Sequence, residues 1–227
     1  MTTGIIFDLD GLMINTEPLS LEAWQRCLAP YGARLTEQQY QDLIGQGHDD
    51  SIRYVIQQTG VARAYEALDR SFWEQLALLV DERLEPMPGL LPLLYELAGR
   101  GYLLGLASNS PIGHVRRATA KIGVTEYFTC MIGADQVERD KPAPDVYLQV
   151  ARCLGLPPAS CLAFEDSPTG VQAALAAGMR CVFIPNPDIE APSLDGVEAV
   201  FHSLSALHDA LDEVMSRDHR PGGEHRP

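Results

Sequence analysis

Apolar runs and helical periodicity alternate along most of this chain, and they predict an α/β fold. The run Ile5-Ile6-Phe7 contains no polar residue, which is typical of a strand buried on both faces of a parallel sheet. Beyond Gly89, short apolar runs and amphipathic patterns follow one another. Strands are predicted at 102–107, 130–133, 161–164 and 181–184, with helices at 91–99, 110–123, 144–154 and 169–177. This order predicts a doubly wound, Rossmann-like parallel sheet.

Helical patterns alone lie between the first predicted strand and the others. Apolar residues at helical spacing predict four helices, and Thr36 with Gln39 forms a capping box for the second, which should stop at Gly45. Turn-forming segments that contain proline bound this region on both sides. We therefore predict a helical cap inserted into an α/β core. The predicted units are a core of residues 1–14 and 86–216, a cap of residues 15–85 and a flexible tail of residues 217–227.

Two acids stand where the first strand ends. Asp8 and Asp10 are separated by one residue, so strand periodicity points them to the same side, and Gly11 permits an immediate turn. Alone, this pattern is equally consistent with a simple polar strand exit. A calcium-binding helix-loop-helix is not expected, because residues 12–14 are apolar where its loop would supply more oxygen ligands.

Later strands bring further polar groups to the same predicted edge. Each of these groups has an ordinary explanation by itself: a helix entry, a solvated lysine or an N-cap. The carboxyl ends of parallel strands share one edge, where open α/β sheets bind their ligands, so we expect all of these groups to converge. The residues are Ser108 and Asn109, Lys141, and Glu165 with Asp166.

Four carboxylates gathered at this edge would repel one another. At about 4 Å and an effective dielectric constant near 20, each like pair costs about 4 kcal/mol. A hard divalent cation would balance this charge, and oxygen ligands with room for water and phosphate suit magnesium. The sequence therefore predicts a Mg²⁺ site at the edge of the sheet.

The net charge and the hydropathy pattern limit the partners. The 227-residue chain has a formal net charge of -14, which argues against nucleic acid and anionic membranes. No apolar run approaches the roughly 20 residues that a membrane-spanning helix requires. We expect a monomer or weak dimer that acts on a small molecule.

The cysteines are odd in number and scattered, without a C-x-x-C pair. Most of them stand in apolar stretches. This usage predicts reduced core thiols in a cytoplasmic protein rather than disulfides or zinc ligands. The residues are Cys27, Cys130, Cys153, Cys161 and Cys181.

Four short motifs resemble those of the haloacid dehalogenase superfamily in order and spacing. They are Asp8-Leu9-Asp10-Gly11, Ser108-Asn109, Lys141-Pro142 and Glu165-Asp166. The helical insert directly after the first motif resembles the subfamily that contains β-phosphoglucomutase and small-metabolite phosphatases. The likeness extends to about Met215 and implies Mg²⁺-dependent phosphoryl transfer beneath a closing cap.

The resemblance also implies a role for each motif residue. Asp8 would be the nucleophile that forms an aspartyl-phosphate, and Asp10 would be the general acid and then the base. Lys141 would neutralise the phosphoryl oxygens, while Ser108 and Asn109 would bind the phosphate. The implied metal ligands are Asp8, the Asp10 backbone carbonyl, Asp166 and, either directly or behind the others, Glu165.

Departures from related enzymes favour hydrolysis. Dehalogenases lack the second acid, so Asp10 favours phosphoryl transfer, and the absence of lysine from 15–84 disfavours phosphonate cleavage through a Schiff base. β-Phosphoglucomutase carries a histidine and a cap arginine where Ser20 and His48 stand here. We predict a phosphatase for a phosphorylated sugar, polyol or similar metabolite, with a sugar phosphomutase as the alternative.

The cap supplies candidates for contact with the leaving group of the substrate. They are Gln46, His48 and Arg53, although capping of the next helix would explain these residues almost equally well. A non-enzymatic alternative is a phosphoacceptor or binding domain on the same fold. The order of the motifs and the presence of both Asp8 and Lys141 disfavour that alternative.

Overall fold

A six-stranded parallel sheet forms the centre of the molecule. The computed structural model describes residues 3–43, 48–61, 65–185 and 194–216. The strands are β1 (Gly4–Phe7), β2 (Leu103–Ala107), β3 (Cys130–Ile132), β4 (Cys161–Glu165), β5 (Arg180–Phe183) and β6 (Ala199–Val200). Their order is β3-β2-β1-β4-β5-β6, and every neighbouring pair is parallel. The predicted α/β fold is confirmed, with β1 near the middle of the sheet.

Helices connect the strands and fill the insert between β1 and β2. Within the described residues, the α-helices are α1 (Glu17–Leu28), α2 (Glu37–Gln41), α3 (His48–Thr59), α4 (Tyr65–Arg83), α5 (Leu90–Gly99), α6 (Ile112–Lys121), α7 (Asp145–Leu154), α8 (Pro168–Ala176), α9 (Leu204–Asp209) and α10 (Leu211–Ser216). Short 3-10 helices lie at Ala29–Tyr31, Thr125–Tyr127, Ala134–Gln136 and Pro158–Ser160. In the part of the chain that the structure describes, no helix is both long enough and apolar enough to cross a membrane.

Alternation along β1 gives the sheet two buried faces. Ile5 and Phe7 pack with residues of α5, α6 and α9, whereas Ile6 packs on the other face with residues of α7 and α8. All three side chains are fully buried. The apolar run at the start of the chain therefore forms a strand covered on both sides, as predicted.

The described residues of the insert form helices joined by short connections, and they contain no strand, as the sequence predicts. Trp24 of α1 packs on Phe72 of α4 with ring centroids 4.5 Å apart. The capping box at Thr36 is present, but α2 ends at Gln41 instead of continuing to Gly45. A tighter bond from Leu43 N to the Tyr40 carbonyl, 2.9 Å long, closes the last turn of this helix.

The two connectors between core and insert lie side by side. Ile14 forms an antiparallel bridge with Pro86, and Met87 N donates to the Met13 carbonyl at 2.8 Å. Ile14 and Met13 are completely buried. The segment after Asp10, which the sequence marks as a turn-forming boundary of the insert, is therefore packed against the return of the chain into the core.

The prediction that all cysteines are reduced is wrong for one pair. Cys130 of β3 and Cys153 of α7 form a disulfide with Cα atoms 6.2 Å apart. Helix α7 packs across β3 and brings Cys153 opposite Cys130, a pairing that a separation of 23 residues in the sequence does not reveal. Cys27, Cys161 and Cys181 are free and buried, as expected.

Candidate active site

The motif residues converge at the carboxyl edge of the sheet. Asp8 follows β1, Ser108 follows β2, and Glu165 ends β4. The loop before α7 brings Lys141 to the same place, where its Nζ lies 2.5 Å from Asp8 Oδ1 although 133 residues separate the two. The convergence expected from the strand order is therefore present.

Lys141 is buried, and its ammonium group has three acceptors. Besides Asp8, Nζ donates to Glu165 Oε1 at 2.6 Å and to the Ala107 carbonyl at 3.0 Å. Burial opposes the charge on this lysine, but the charges of Asp8 and Glu165 outweigh burial and raise the pKa of Lys141. The lysine is therefore a permanent cation that balances two carboxylates.

Glu165 is completely buried, and protein groups bind both of its oxygens. Oε1 accepts from Lys141 and, at 2.5 Å, from the Tyr147 hydroxyl, while Oε2 accepts from Asp166 N at 3.1 Å. Helix α8 comes this close because it has a glycine here, since a Cβ at Gly170 would lie 1.9 Å from Oε1. Glu165 therefore holds Lys141 in place.

Donors from several segments surround the Asp10 carboxylate. Thr16 Oγ1 donates to Oδ1 at 2.9 Å, and Ser110 Oγ donates to Oδ2 at 2.8 Å. His114 Nε2 lies 3.2 Å from Oδ1, and Ser108 Oγ lies 3.3 Å from Oδ2. Burial by itself would raise the pKa of Asp10, but His114 and the hydroxyl donors lower it to about 2.

Sequence reasoning missed four of these supporting residues. Thr16 lies six residues after Asp10 and Ser110 follows the Ser108-Asn109 motif, so proximity to a motif in the sequence was an available signal. His114 and Tyr147 lie within predicted helices, and nothing in the helical pattern separates them from their neighbours. Their contacts depend on how each helix is rotated against the sheet.

Three carboxylates form a compact cluster beside Lys141. Asp8, Glu165 and Asp166 each have a carboxylate oxygen within 4.8 Å of the others. Burial raises the pKa of Asp166, and the charges of Asp8 and Glu165 raise it further. One lysine balances three buried carboxylates incompletely, so this set of hard oxygen donors fits a divalent cation.

The second motif joins the lysine loop to the sheet. Asn109 Oδ1 accepts from the Lys141 backbone N–H at 2.9 Å, and Asn109 Nδ2 lies 3.3 Å from the Lys141 carbonyl oxygen. Ser108 is buried, and its hydroxyl accepts from Ser110 N at 2.9 Å. The Asn109 side chain therefore positions Lys141, while Ser108 lies beside Asp10.

A cavity of about 240 Å³ opens between the strand ends and the helical insert. This is smaller than the ~300–1,000 Å³ typical of sites for drug-sized ligands, and it suits a small metabolite. Six of the predicted core site residues line the cavity, and Glu165 lies behind it; the six are Asp8, Asp10, Ser108, Asn109, Lys141 and Asp166. The lining of the insert includes four aromatic side chains, those of Trp24, Tyr40, Phe72 and Trp73.

The three cap candidates have different positions. His48 lines the cavity, with Nε2 2.7 Å from Asp69 Oδ1. Arg53 is exposed and does not line the cavity, because α3 turns Ile52 and Val55 inward instead. The structure therefore places Arg53 away from the cavity, and a role in substrate binding stays a prediction. Gln46 lies outside the described residues.

A parallel sheet with paired acids and a buried lysine at its carboxyl edge, next to a helical insert, defines an α/β protein with one acidic site at the ends of its strands. Residues 5–184 match the family model for haloacid dehalogenase-like hydrolases, and the chain belongs to this family. The family predicted from the four motifs is therefore confirmed.

Similar proteins indicate the reaction class. Fructose-1-phosphate phosphatase YqaB of Escherichia coli is 34% identical over 180 residues, which cover 79% of this chain and 94% of the relative. Hexitol phosphatase A of Escherichia coli is 31% identical over 206 residues, or 90% and 92% of the two chains. The structure of CbbY from Rhodobacter sphaeroides in complex with phosphate has a TM-score of 0.84 at 26% identity and covers 91% of this chain and 96% of CbbY. These relatives support phosphoric monoester hydrolysis over the mutase alternative.

Proposed function

We propose that this protein is a Mg²⁺-dependent phosphatase that hydrolyses a small sugar or polyol phosphate through an aspartyl-phosphate. The observation that carries the proposal is the buried contact between Lys141 Nζ and Asp8 Oδ1 on the wall of the cavity. Asp10 lies two positions further along the chain. A charge-neutralised carboxylate beside a second acid provides both a nucleophile and a proton carrier.

The two acids divide the reaction between them. Asp8 attacks phosphorus, the bond from phosphorus to the leaving oxygen breaks, and Asp10 protonates that oxygen. Asp10 then takes a proton from water, whose oxygen attacks the aspartyl-phosphate and releases inorganic phosphate and the Asp8 carboxylate. Because the pKa of Asp10 is about 2 here, the carboxylate is ionised at neutral pH. To act as the general acid, Asp10 must therefore carry a proton when the substrate is bound, and the negative charge of the phosphate favours that neutral form.

Three groups would bind the phosphoryl oxygens. Lys141 supplies positive charge, Ser108 supplies a hydroxyl, and the backbone N–H groups near Asn109 supply further donors. The side-chain amide of Asn109 is already bonded to the Lys141 backbone, so its contribution is to fix the lysine loop.

The proposed ligands for Mg²⁺ are the Asp8 and Asp166 carboxylates and the Asp10 backbone carbonyl. Asp8 and Asp166 both line the cavity, whereas Glu165 is fully buried and bonded to Lys141 and Tyr147. We therefore assign Glu165 a supporting role behind these groups. The bound ion would offset negative charge on the phosphoryl oxygens.

We also propose that residues 15–85 act as a cap over a core of residues 1–14 and 86–216. The connectors at Ile14 and Pro86 are paired, so a hinge there could move the insert as a unit. Trp73 of α4 meets His114 of α6 with ring centroids 5.4 Å apart, at the boundary between the two parts. The flexible tail at 217–227 lies outside the described residues and stays a prediction.

Location and assembly also stay predictions. We propose a cytoplasmic protein that is a monomer or weak dimer. The disulfide between Cys130 and Cys153 weakens the part of that argument that rests on reduced cysteines. Light scattering of the purified protein would give the assembly state directly.

Phosphate release tests the covalent mechanism. With Mg²⁺, the wild type should release phosphate from fructose 1-phosphate or a hexitol phosphate, and a chelator should stop the reaction. Asp8→Asn should lower kcat by about 1,000-fold or more, because it removes the nucleophile. Asp212→Asn, on a side chain that is 88% exposed, is the matched control and should retain activity.

Two results would change the proposal. Unchanged phosphate release by Asp8→Asn would end the covalent mechanism. Conversion between sugar phosphate isomers that is faster than phosphate release would favour the mutase alternative.

A further inference from the structure

The insert side of the cavity is aromatic. Trp24, Phe72 and Trp73 come from α1 and α4, and Tyr40 comes from α2. Trp24 and Phe72 are almost fully buried, whereas Trp73 is half-buried, with its ring centroid 4.7 Å from that of His48 and 5.4 Å from that of His114. Trp73 is therefore the lining aromatic side chain of α4 that is available to pack on a ligand.

The cations at the cavity already have partners. Among the described residues that line it, the basic side chains are Lys141 and His48. Lys141 is bonded to Asp8 and Glu165, and His48 Nε2 lies 2.7 Å from Asp69. Neither provides a spare cation for an anionic group beyond the phosphoryl group that is transferred.

The arginines of the insert lie away from the cavity. All five within the described residues are exposed, and none of the five lines the cavity. They are Arg26, Arg34, Arg53, Arg70 and Arg83. Arg26 and Arg83, for example, both bind Glu22 on the surface of the insert.

Acidic groups extend from the reaction centre toward the insert. Glu17 at the start of α1 lines the cavity, where its Oε2 accepts from the Tyr40 hydroxyl at 2.7 Å. Asp140, beside Lys141, also lines it. A second phosphate or a carboxylate on the substrate would therefore lose its hydration near like charges, and the described part of the cavity wall offers it no cationic partner.

We propose that the cavity selects a monophosphate whose leaving group is uncharged and hydroxylated, with an apolar face that packs on Trp73. A leaving group with its own phosphate or carboxylate is rejected. This inference rests on the proposed phosphatase function and specifies which phosphate esters that site accepts. Hydroxyl groups suit the polar groups of Glu17, Ser20 and Ser51, which also line the cavity.

Matched pairs of esters test the selection by charge. One pair is fructose 1-phosphate and fructose 1,6-bisphosphate, and another is glycerol 3-phosphate and 3-phosphoglycerate. In each pair, the ester with the uncharged leaving group should be hydrolysed with a kcat/KM at least ten-fold higher than that of the ester with the anionic leaving group. In calorimetry, the Asp8→Asn protein with Mg²⁺ should also bind the first ester more tightly than the second. Equal or better hydrolysis and binding of the anionic members would overturn the inference.

The two readouts separate this inference from the proposed function. Tighter binding of the uncharged member by Asp8→Asn, with no hydrolysis of any ester by the wild type, would support the selection by charge and end the phosphatase proposal. Hydrolysis of both members at similar rates would support the phosphatase proposal and overturn the selection by charge.

Two variants locate the selectivity within the insert. Glu17→Gln removes one negative charge from the cavity wall. It should lower the ratio of kcat/KM for the uncharged ester to kcat/KM for the anionic ester several-fold. Glu22→Gln is the matched control on the same helix, because Glu22 is bound by Arg26 and Arg83 and does not line the cavity; it should leave the ratio unchanged. An unchanged ratio in Glu17→Gln, or the same change in both variants, would overturn the role of Glu17.

The aromatic wall has a separate test. Trp73→Ala should weaken binding of the uncharged ester to the Asp8→Asn protein several-fold, and Trp73→Phe should restore most of it. Unchanged binding in Trp73→Ala would overturn the assignment of Trp73 as the packing surface.

Discussion

Asp8 and Asp10 are one residue apart, yet their surroundings move their pKa values in opposite directions. Burial raises the pKa of Asp8 above its ordinary range, and Lys141 opposes that effect only in part. The pKa of Asp10 falls to about 2, because His114 and two hydroxyl groups outweigh burial. Mg²⁺ at the proposed site beside Asp8 would favour the ionised form of that carboxyl, which is the form that attacks phosphorus.

His114 should matter most for substrates with poor leaving groups. His114→Ala should raise the pKa of Asp10, but it also frees the carboxylate to turn away from the leaving oxygen, so kcat/KM for an alkyl phosphate should fall by about ten-fold or more. With 4-nitrophenyl phosphate, kcat/KM should fall much less, because the nitrophenolate leaving group needs little protonation. His114→Gln keeps a donor and should recover part of the loss. Equal losses on both substrates would indicate that His114 only supports the fold.

Replacing Gly170 with alanine should destabilise the protein, although a glycine-to-alanine substitution within a helix usually stabilises it. Gly170→Ala places a methyl group 1.9 Å from the unsubstituted position of Glu165 Oε1, so we expect destabilisation of about 1–3 kcal/mol and lower activity. Gly113→Ala in α6 meets no heavy atom within 4 Å and should instead stabilise by about 0.5–1 kcal/mol. Urea unfolding measures both. A stabilised Gly170→Ala would mean that Glu165 moves aside easily.

At the scale of elements, the ends of the strands were the predictable part of the site. Parallel strands share one carboxyl edge, so the order of elements was enough to bring Asp8, Ser108 and Glu165 together. The position of a side chain around a helix axis was not predictable to the same degree. His114 was therefore missed, and Arg53 was expected at the cavity although α3 turns it outward.

The pairing of β3 with α7 has a measurable consequence. The disulfide between Cys130 and Cys153 closes a short loop, and the loss of unfolded-chain entropy predicts a stabilisation of about 3 kcal/mol. Replacing both cysteines with serine should lower the free energy of unfolding by about this amount. A reductant should produce a similar loss in the wild type and no further loss in the double variant. A wild type that is insensitive to reductant would show that the pair makes no contribution to stability.

At the scale of the whole molecule, a small part of the negative charge is buried as a cluster at the active site. The formal net charge is -14, yet Asp8, Glu165 and Asp166 are buried together, with Lys141 as their counter-charge. Exposed acids are hydrated and screened by salt, whereas a buried cluster is not. In the metal-free protein, repulsion among these buried carboxylates should therefore lower the stability of the fold.

Mg²⁺ should stabilise the folded protein through this cluster rather than through general screening. An ion present at about 100 times its dissociation constant adds about 2.7 kcal/mol, which corresponds to a rise in Tm of about 5–10 °C for a chain of this size. Asp166→Asn should raise the Tm of the metal-free protein, because one repelling carboxylate is gone, and should remove most of the response to Mg²⁺. Asp212→Asn at the surface should retain the response, and NaCl at matched ionic strength should not reproduce it. Calorimetric scans of the wild type, Asp166→Asn and Asp212→Asn with and without Mg²⁺ measure this response. An equal rise in Tm in all three proteins would exclude a metal site that includes Asp166.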